Sequence, residues 1–495
     1  MKKQLLRILM FILATTMLVS SFVGCKKQEE TPQNDSSDVS VSTNDTEVGD
    51  DVLGVPKELD YGGADITILA WEDAALTEFE VDSLNGSAID EAIYFRNMKI
   101  EDELGINLKF FYTKGDVGNI ANYKSSAYNA MVAGRPYDIL ASYTRSIAQC
   151  AIDGMAMDLG SIDDSVNYLD TSKVWWNDMI VDKCSINDSF YFVTVDASTS
   201  FVQMIYCIYF NNDLIERSGL ESPYELVANN EWTIDKMLTM TKNVFFDANG
   251  NTATDIDVDT VPFCGEQWDW PSLLHGCGIN YVKKDSNNAF VVDNIGNEKA
   301  INLMDDLAEA IRSDHWYVTT DGSPTNAFKD QRLLFWNTYS GRAKVSFTNV
   351  DFEYGCVPMP KYESSQEAYY CATRQPITLF AIQNGVSEDR LEMVTATLET
   401  YAYESYKQTT PVIFHTVMSY QTSASSEMVD MLALIKDSAY FDFGRIYVGD
   451  GLKIVDQPGY YLENGLNWAN YVNGDLPTYK ENLKKLSDSY TSLAN

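Results

Sequence analysis

Along the chain the spacing of apolar residues switches repeatedly between two periods. Asp65–Trp71, Asn107–Tyr112, Tyr137–Tyr143, Phe190–Val195, Gln203–Phe210 and Ile377–Ile382 are short runs rich in β-branched and aromatic residues, and they read as strands. Elsewhere the period is helical. Ile234, Met237, Leu238 and Thr241 recur at i, i+3, i+4 and i+7 behind a Thr233 cap, and Ile301, Met304, Ala308 and Ile311 share one face behind Asn297. Strands alternating with helices predict an α/β protein of mainly parallel sheets covered on both faces. About 435 residues follow Leu59, more than one core normally holds, so two lobes are expected.

The first residues follow another pattern. Lys2, Lys3 and Arg7 precede an apolar stretch from Ile8 to Val19, too short for a spanning helix, which needs roughly 20 apolar residues. Phe22-Val23-Gly24-Cys25 resembles a lipobox, with Phe22 where Leu is usual. The expectation is a lipoprotein signal peptide over 1–24 and a diacylglyceryl group on Cys25. A conventional signal peptide cut nearby and an uncleaved anchor are the alternatives. Residues 26–57 are dominated by Ser, Thr, Asp, Glu, Asn and Gln and contain no aromatic residue, so they cannot bury enough apolar surface to order themselves. The acidic segment 25–58 is expected to be a disordered tether with a reach on the order of 30 Å. No later stretch approaches the length of a membrane span.

Charge narrows the partners. The formal net charge is -36, and removal of residues 1–24 takes three further positive charges away. Such a body is repelled by nucleic acid and by anionic lipid, which leaves neutral or cationic small molecules or a dedicated protein as partners, and contact with a membrane through the lipid anchor only. Seven cysteines follow Cys25 without a C-x-x-C pair or histidines at zinc spacing. They are expected to be free thiols, with one bridge, Cys264–Cys277 or Cys356–Cys371, left open.

Four stretches, in order, carry a family resemblance. Ile89–Asn107 contains the E-x-x-x-G-I ending at Glu101–Ile106. Phe210-Asn211-Asn212-Asp213-Leu214 leads to Gly219-Leu220-Glu221-Ser222-Pro223 and then to Trp232-Thr233. Ala327–Asn337 is similar to an A-F-x-x-G-x-A-x-F segment, with Gln331 at the glycine. Tyr354–Tyr362 is similar to Y-G-x-x-P-x-P-K and precedes the strand and long helix of Ile377–Tyr401. Together they resemble the family 1 extracellular solute-binding proteins of bacterial ABC importers, of the maltodextrin-binding type.

That resemblance implies a periplasmic-binding-protein-like clamp of two lobes joined by a hinge that the chain crosses about three times. Lobe 1 would take 59–207 and 333–376, and lobe 2 would take 208–332 and 377–495. A small solute, a sugar or oligosaccharide before a peptide, would bind between the lobes. The protein would be a monomer on the outer face of the cell membrane, would pass its ligand to the transmembrane subunits of an ABC permease, and would catalyse nothing.

A sugar ring offers an apolar C–H face and a rim of hydroxyls, so its site needs aromatic platforms beside carboxylates or amides. Aromatic residues make up 12% of the chain, and nine are Trp. Trp71, Glu72 and Asp73 follow the first strand. Trp175 and Trp176 stand together in one loop, and Asp196 closes the strand before the hinge. Trp268 and Asp269 precede Pro271, Trp336 and Tyr339 lie in the return crossing, and Arg374 precedes the next. Each is a candidate ligand contact; each also has a plain packing, capping or ion-pairing role available.

A separate loop, Phe245–Thr260, spaces Asp247, Asn249, Asn251 and Asp255 as oxygen ligands for a structural Ca²⁺. It departs from the EF-hand, with Gly250 at loop position four and Val258 at position twelve, so a solvated acidic loop is the stronger reading and no other cofactor is expected. An enzyme finds less support. His275, His315 and His415 are far apart in sequence, G-x-S-x-G, H-E-x-x-H and P-loop patterns are absent, and with 72 acids no carboxylate pair stands out for glycoside hydrolysis. A surface receptor without transport remains the other alternative.

Overall fold

The structure is a computed structural model that describes residues 51–493 apart from 75, 177, 187–188, 348–349 and 420–425. Cys25 and the tether as far as residue 50 lie outside the described residues. The expected end of the tether, 51–58, is instead packed on the body: Val55 is buried in the cluster around β1 and Asp51 pairs with Lys407 at 3.3 Å, because Leu53 and Val55 supply the apolar surface that the preceding polar residues lack. Thirteen strands are present among those described: β1 (Ala64–Trp71), β2 (Ile106–Thr113), β3 (Ile139–Tyr143), β4 (Tyr206–Asn211), β5 (Val261–Glu266), β6 (Val282–Lys284), β7 (Phe290–Val292), β8 (Tyr317–Thr319), β9 (Leu333–Tyr339), β10 (Tyr354–Val357), β11 (Cys371–Ala372), β12 (Thr378–Ile382) and β13 (Ala439–Tyr440). Two sheets dominate, one ordered β12-β3-β1-β2 and one ordered β10-β4-β9-β5-β8. The protein is therefore a two-lobed α/β structure, one lobe built on each sheet. No described helix is long and apolar enough to cross a membrane.

In the first sheet β1 runs parallel to β2 and β3, and β12 returns antiparallel to β3. The period of two sorts the side chains: Ile66, Ile68 and Ala70 join one buried cluster with Ile139 and Ala141, while Leu69 and Leu140 enter the other. The helix Ala88–Leu104 that links β1 to β2 starts at a Ser87 cap and ends at Gly105, whose φ is 61°. Gly105 is needed twice over, because a Cβ there would also sit 2.0 Å from Asp60 Oδ1.

The second sheet is mixed. β5 is parallel to β8 and β9, but β4 runs antiparallel to both β9 and β10. Expecting mainly parallel strands fails here because β4 is a crossing strand that enters this sheet from the hinge side. All seven residues of β9 and all six of β5 are buried, as central strands covered on both faces must be. Thr233 and Asn297 cap their helices as the spacing predicts, accepting from Lys236 N and Ala300 N. The second of these helices is rotated from the predicted face. Ala300, Leu303, Met304, Leu307 and Ala310 are buried, whereas Ile301, Ala308 and Ile311 are only half-buried.

The chain passes between the two sheets three times. First it leaves Val193, bridged to Phe380, turns at Val195 with φ 71°, and enters β4. It returns through Thr373, bridged to Ile205, and Arg374 into β12. The third pass follows the helix Glu388–Glu404 through a π-helical turn at Ser405–Thr409, after which the helix Ser426–Asp437 packs on β10.

Strand pairing corrects the expected lobe boundaries. β9 and β10, within 333–376, belong to the second sheet, and β12, after 377, belongs to the first. Sequence motifs place segments in order but do not say which strand a buried run pairs with. The run Phe190–Val195 forms no extended strand, contributing a single bridge at Val193 before a 3₁₀ turn at Val195–Ala197. The cysteines are free thiols, as expected, and neither bridge left open forms: Cys150, Cys184, Cys207, Cys264, Cys277, Cys356 and Cys371 are all buried and unpaired with one another.

Candidate ligand-binding cleft

Open α/β sheets form crevices beyond the carboxyl ends of their parallel strands. At that end of the second sheet, β5 stops at Glu266 and β9 stops at Tyr339. The Glu266 carboxylate is nearly buried and is held by three donors. Arg342 Nη2 lies 2.6 Å from Oε1, Arg374 Nη2 lies 3.1 Å from Oε2, and the Trp268 indole Nε1 donates to Oε2 at 2.6 Å. The Tyr339 ring stacks with both guanidinium groups, at 4.6 Å from Arg342 and 4.8 Å from Arg374. Arg374 Nε is also 3.4 Å from Asp269 Oδ1.

Burial pushes the Asp269 carboxyl up to about 6, against the opposing pull of Arg374. Burial works against the charge on Arg374 as well, but Asp269, Tyr206 and Glu266 outweigh it and leave that guanidinium firmly charged. The cluster is thus a preset ionic platform whose members hold one another's geometry. Trp268 stands at its edge with 41% of its surface exposed while its N–H is fixed. A flat apolar surface beside ordered charged donors and acceptors is what a polyhydroxylated ligand requires.

Facing this platform, the hinge strands and the first sheet close on a small cavity lined by Thr144, Arg374, Gln375, Tyr440, Asp442 and Arg445, among others. Its volume is about 20 Å³, room for roughly one water-sized group. Gln375 spans it, accepting from the Tyr143 hydroxyl at 3.2 Å and donating to the Arg445 carbonyl at 2.5 Å. The Asp442 carboxylate is held by the backbone N–H groups of Tyr281, Val282 and Gly444, and burial lifts it to about 6.

Of the residues singled out from sequence, Trp268, Asp269, Tyr339 and Arg374 come together here. Others have different work. Trp71 is 2% exposed, donates from Nε1 to Thr378 Oγ1 at 3.0 Å and packs on Tyr143, so it ties β1 to β12 and presents no platform. Glu72 is exposed at the end of β1, and Asp73 orders the next loop by accepting from Gly115 N, Asp116 N and the Asn119 amide. Trp175 and Trp176 are buried and both donate to Glu399, at 2.9 and 2.7 Å. Trp336 is fully buried among Phe328 and Phe347 beneath Arg342. Asp196 is a buried hinge partner of Lys436 at 2.9 Å and of Thr410.

Glu266, Arg342, Gln375 and Arg445 escaped the sequence reading. For Glu266 a signal existed, since Val261–Glu266 is a short apolar run ending in a carboxylate; the arginines carry no local mark among 36 basic residues. In the acidic loop, Asp247 accepts from its own Gly250 N and Thr252 N, and Asp255 from Asp257 N. The carboxylates thus turn toward loop amides, and no metal-binding cluster of three or more His, Cys, Asp or Glu side chains occurs among the described residues.

No family model matches the chain, and no curated protein matches it in sequence. Solved structures do match its fold over nearly their whole lengths. A cyclo/maltodextrin-binding protein complexed with maltotetraose superposes with a TM-score of 0.56 at 11% identity, covering 86% of this chain and 99% of the other. The cyclic alpha-maltosyl-1,6-maltose binding protein from Arthrobacter globiformis gives 0.55 at 12% identity, covering 86% and 100%. The galacto-N-biose-/lacto-N-biose I-binding protein of the ABC transporter from Bifidobacterium longum gives 0.55 at 12% identity, covering 86% and 98%. The chain shares the fold of these binding proteins.

Proposed function

We propose that this chain is an exported solute-binding protein that captures a carbohydrate between its lobes and delivers it to an ABC permease. One observation carries the reading: the half-exposed Trp268 indole is pinned by Glu266 at the carboxyl end of β5, beside Arg342, Arg374 and Tyr339. A sugar ring would stack on Trp268 while its hydroxyls meet the charged groups. Because the cavity now holds only about 20 Å³, the ligand enters when the hinge opens, and closure is stabilised by contacts from both lobes. The sugar-binding neighbours of the same fold support this class of ligand.

In the same reading Cys25 is the lipid anchor, the acidic segment after it is the tether, and the protein works as a monomer outside the cell membrane. Diacylglycerol supplies the two chains that stable anchoring requires. Cys25→Ser is expected to release the protein into the medium or leave its signal uncut, and retention of mature protein at the membrane would refute the anchor. The ligand is tested by a thermal-shift screen of oligosaccharides and peptides, in which a cognate ligand at 100 times its Kd should add about 2.7 kcal/mol. Stabilisation by peptides alone would overturn the carbohydrate reading.

A further inference from the structure

The last helix of the chain, Trp468–Leu493, starts in the second lobe and ends on the first. Along most of its length it lies on second-lobe elements: the Trp468 indole donates to the Ile295 carbonyl at 3.4 Å, and Ser487 Oγ accepts from Phe290 N in β7 at 3.1 Å. Its last turn reaches across. The Tyr490 ring meets that of Tyr191, just before the first crossing, edge to face at 5.5 Å, and Leu493 lies against Gly154, where a Cβ would stand 3.6 Å from its Cδ2. Two further contacts run alongside. The Tyr447 hydroxyl, paired with that of Tyr490, lies 3.3 Å from the Ala148 carbonyl in the first-lobe helix Thr144–Ile152, and Lys284 Nζ in β6 donates to Ser185 Oγ at 2.9 Å.

Tyr191, Tyr447, Tyr490 and Ala148 are all buried and belong to one hydrophobic cluster that draws on both lobes. Apolar surface shared by two lobes returns to water when they part, so this contact favours the closed arrangement by itself. None of its residues is among those that meet at Glu266 and Trp268, so it acts whether or not the cleft is filled. Resting on the clamp reading above, we infer that the end of the C-terminal helix is a strap that holds the two lobes together in the ligand-free protein. The clamp then rests closed and admits its ligand during brief openings, in which Tyr490 and Leu493 leave the first lobe.

The experiment measures the distance across the cleft mouth by pulsed electron paramagnetic resonance, without any ligand. Spin labels are placed on Ser83→Cys, exposed in the loop after β1, and on Val345→Cys, 60% exposed in the helix that follows β9. The full chain carries Cys25→Ser, and the seven other cysteines are buried, so only the introduced thiols take the label. The parent should show one short distance. Tyr490→Ala should raise the fraction at longer distance about tenfold, equivalent to about 1.4 kcal/mol taken from the closed state. Leu493→Asp, at the half-exposed end of the helix, should shift the distribution the same way, and it carries the test if Tyr490→Ala does not fold. A long distance in the parent would overturn the strap. So would an unchanged short distance in Leu493→Asp with a lower melting temperature, which would mark the contact as core common to both lobes. Either result leaves the carbohydrate reading to the ligand screen, because no ligand is present here.

Discussion

The Trp268 indole donates to Glu266 Oε2 at 2.6 Å across two residues of one strand-end turn, joining a nearly buried carboxylate at the end of β5 to a ring half in solvent. The bond fixes an exposed ring that would otherwise sample several rotamers, so a ligand stacking on it meets a surface ordered in advance.

Trp268→Ala is therefore expected to weaken ligand binding at least tenfold, about 1.4 kcal/mol, with little change in melting temperature. Trp336→Ala should act in the opposite way, costing about 3–5 kcal/mol of stability because the side chain is fully buried. Calorimetry and chemical denaturation of the two variants separate the roles; loss of affinity in a stable Trp336→Ala protein would contradict the placement of the cleft.

Glu399 predicts a pH dependence. Burial pushes its carboxyl up to about 7, despite hydrogen bonds from Trp176, the Asp170 amide and Trp175. A carboxyl whose folded value is raised binds a proton in the native state where the unfolded chain has released it. Its contribution to stability is thus greatest at acidic pH and declines as pH rises from the ordinary carboxylate range through about 7. Glu399→Gln mimics the protonated form, so denaturation midpoints of the variant should fall less than those of the wild type between about pH 5 and pH 8. Parallel pH profiles for the two proteins would rule this out.

Asp196 and Lys436 join the first and third crossings at 2.9 Å, the carboxylate fully buried and the lysine partly so, beside the strained turn at Val195. Removing one partner leaves the other as an unpaired buried charge, so Asp196→Ala is expected to cost about 3–5 kcal/mol in urea denaturation. A double variant, Asp196→Ala with Lys436→Met, should recover much of that loss. A cycle with no coupling energy would show the pair to be incidental.

Chelator is expected to leave the melting curve unchanged, since the loop of Asp247, Asn249, Asn251 and Asp255 already satisfies its oxygens with its own amides. A drop in melting temperature with EDTA, restored by calcium, would reinstate a metal there.

The sequence by itself determined the α/β class, most strand positions and several helix starts, because these follow from local rules. A period of two or of 3.6, a Thr or Asn cap, and a glycine at a left-handed position act over a few residues, and β1, β3, β12 and the capped helices at Thr233 and Asn297 appear where those rules put them. Tertiary structure alone decided which lobe each strand joins and which aromatic residues face the cleft. Trp71, Trp175, Trp176, Trp268 and Trp336 look alike in sequence, each in or beside a polar stretch. Only packing separates the exposed ring pinned to Glu266 from four that are buried, and only chain reversals tens to hundreds of residues apart bring Glu266, Arg342, Arg374 and Arg445 to one cleft. Burial and ion pairing are properties of what surrounds a residue in space, and no local period carries them.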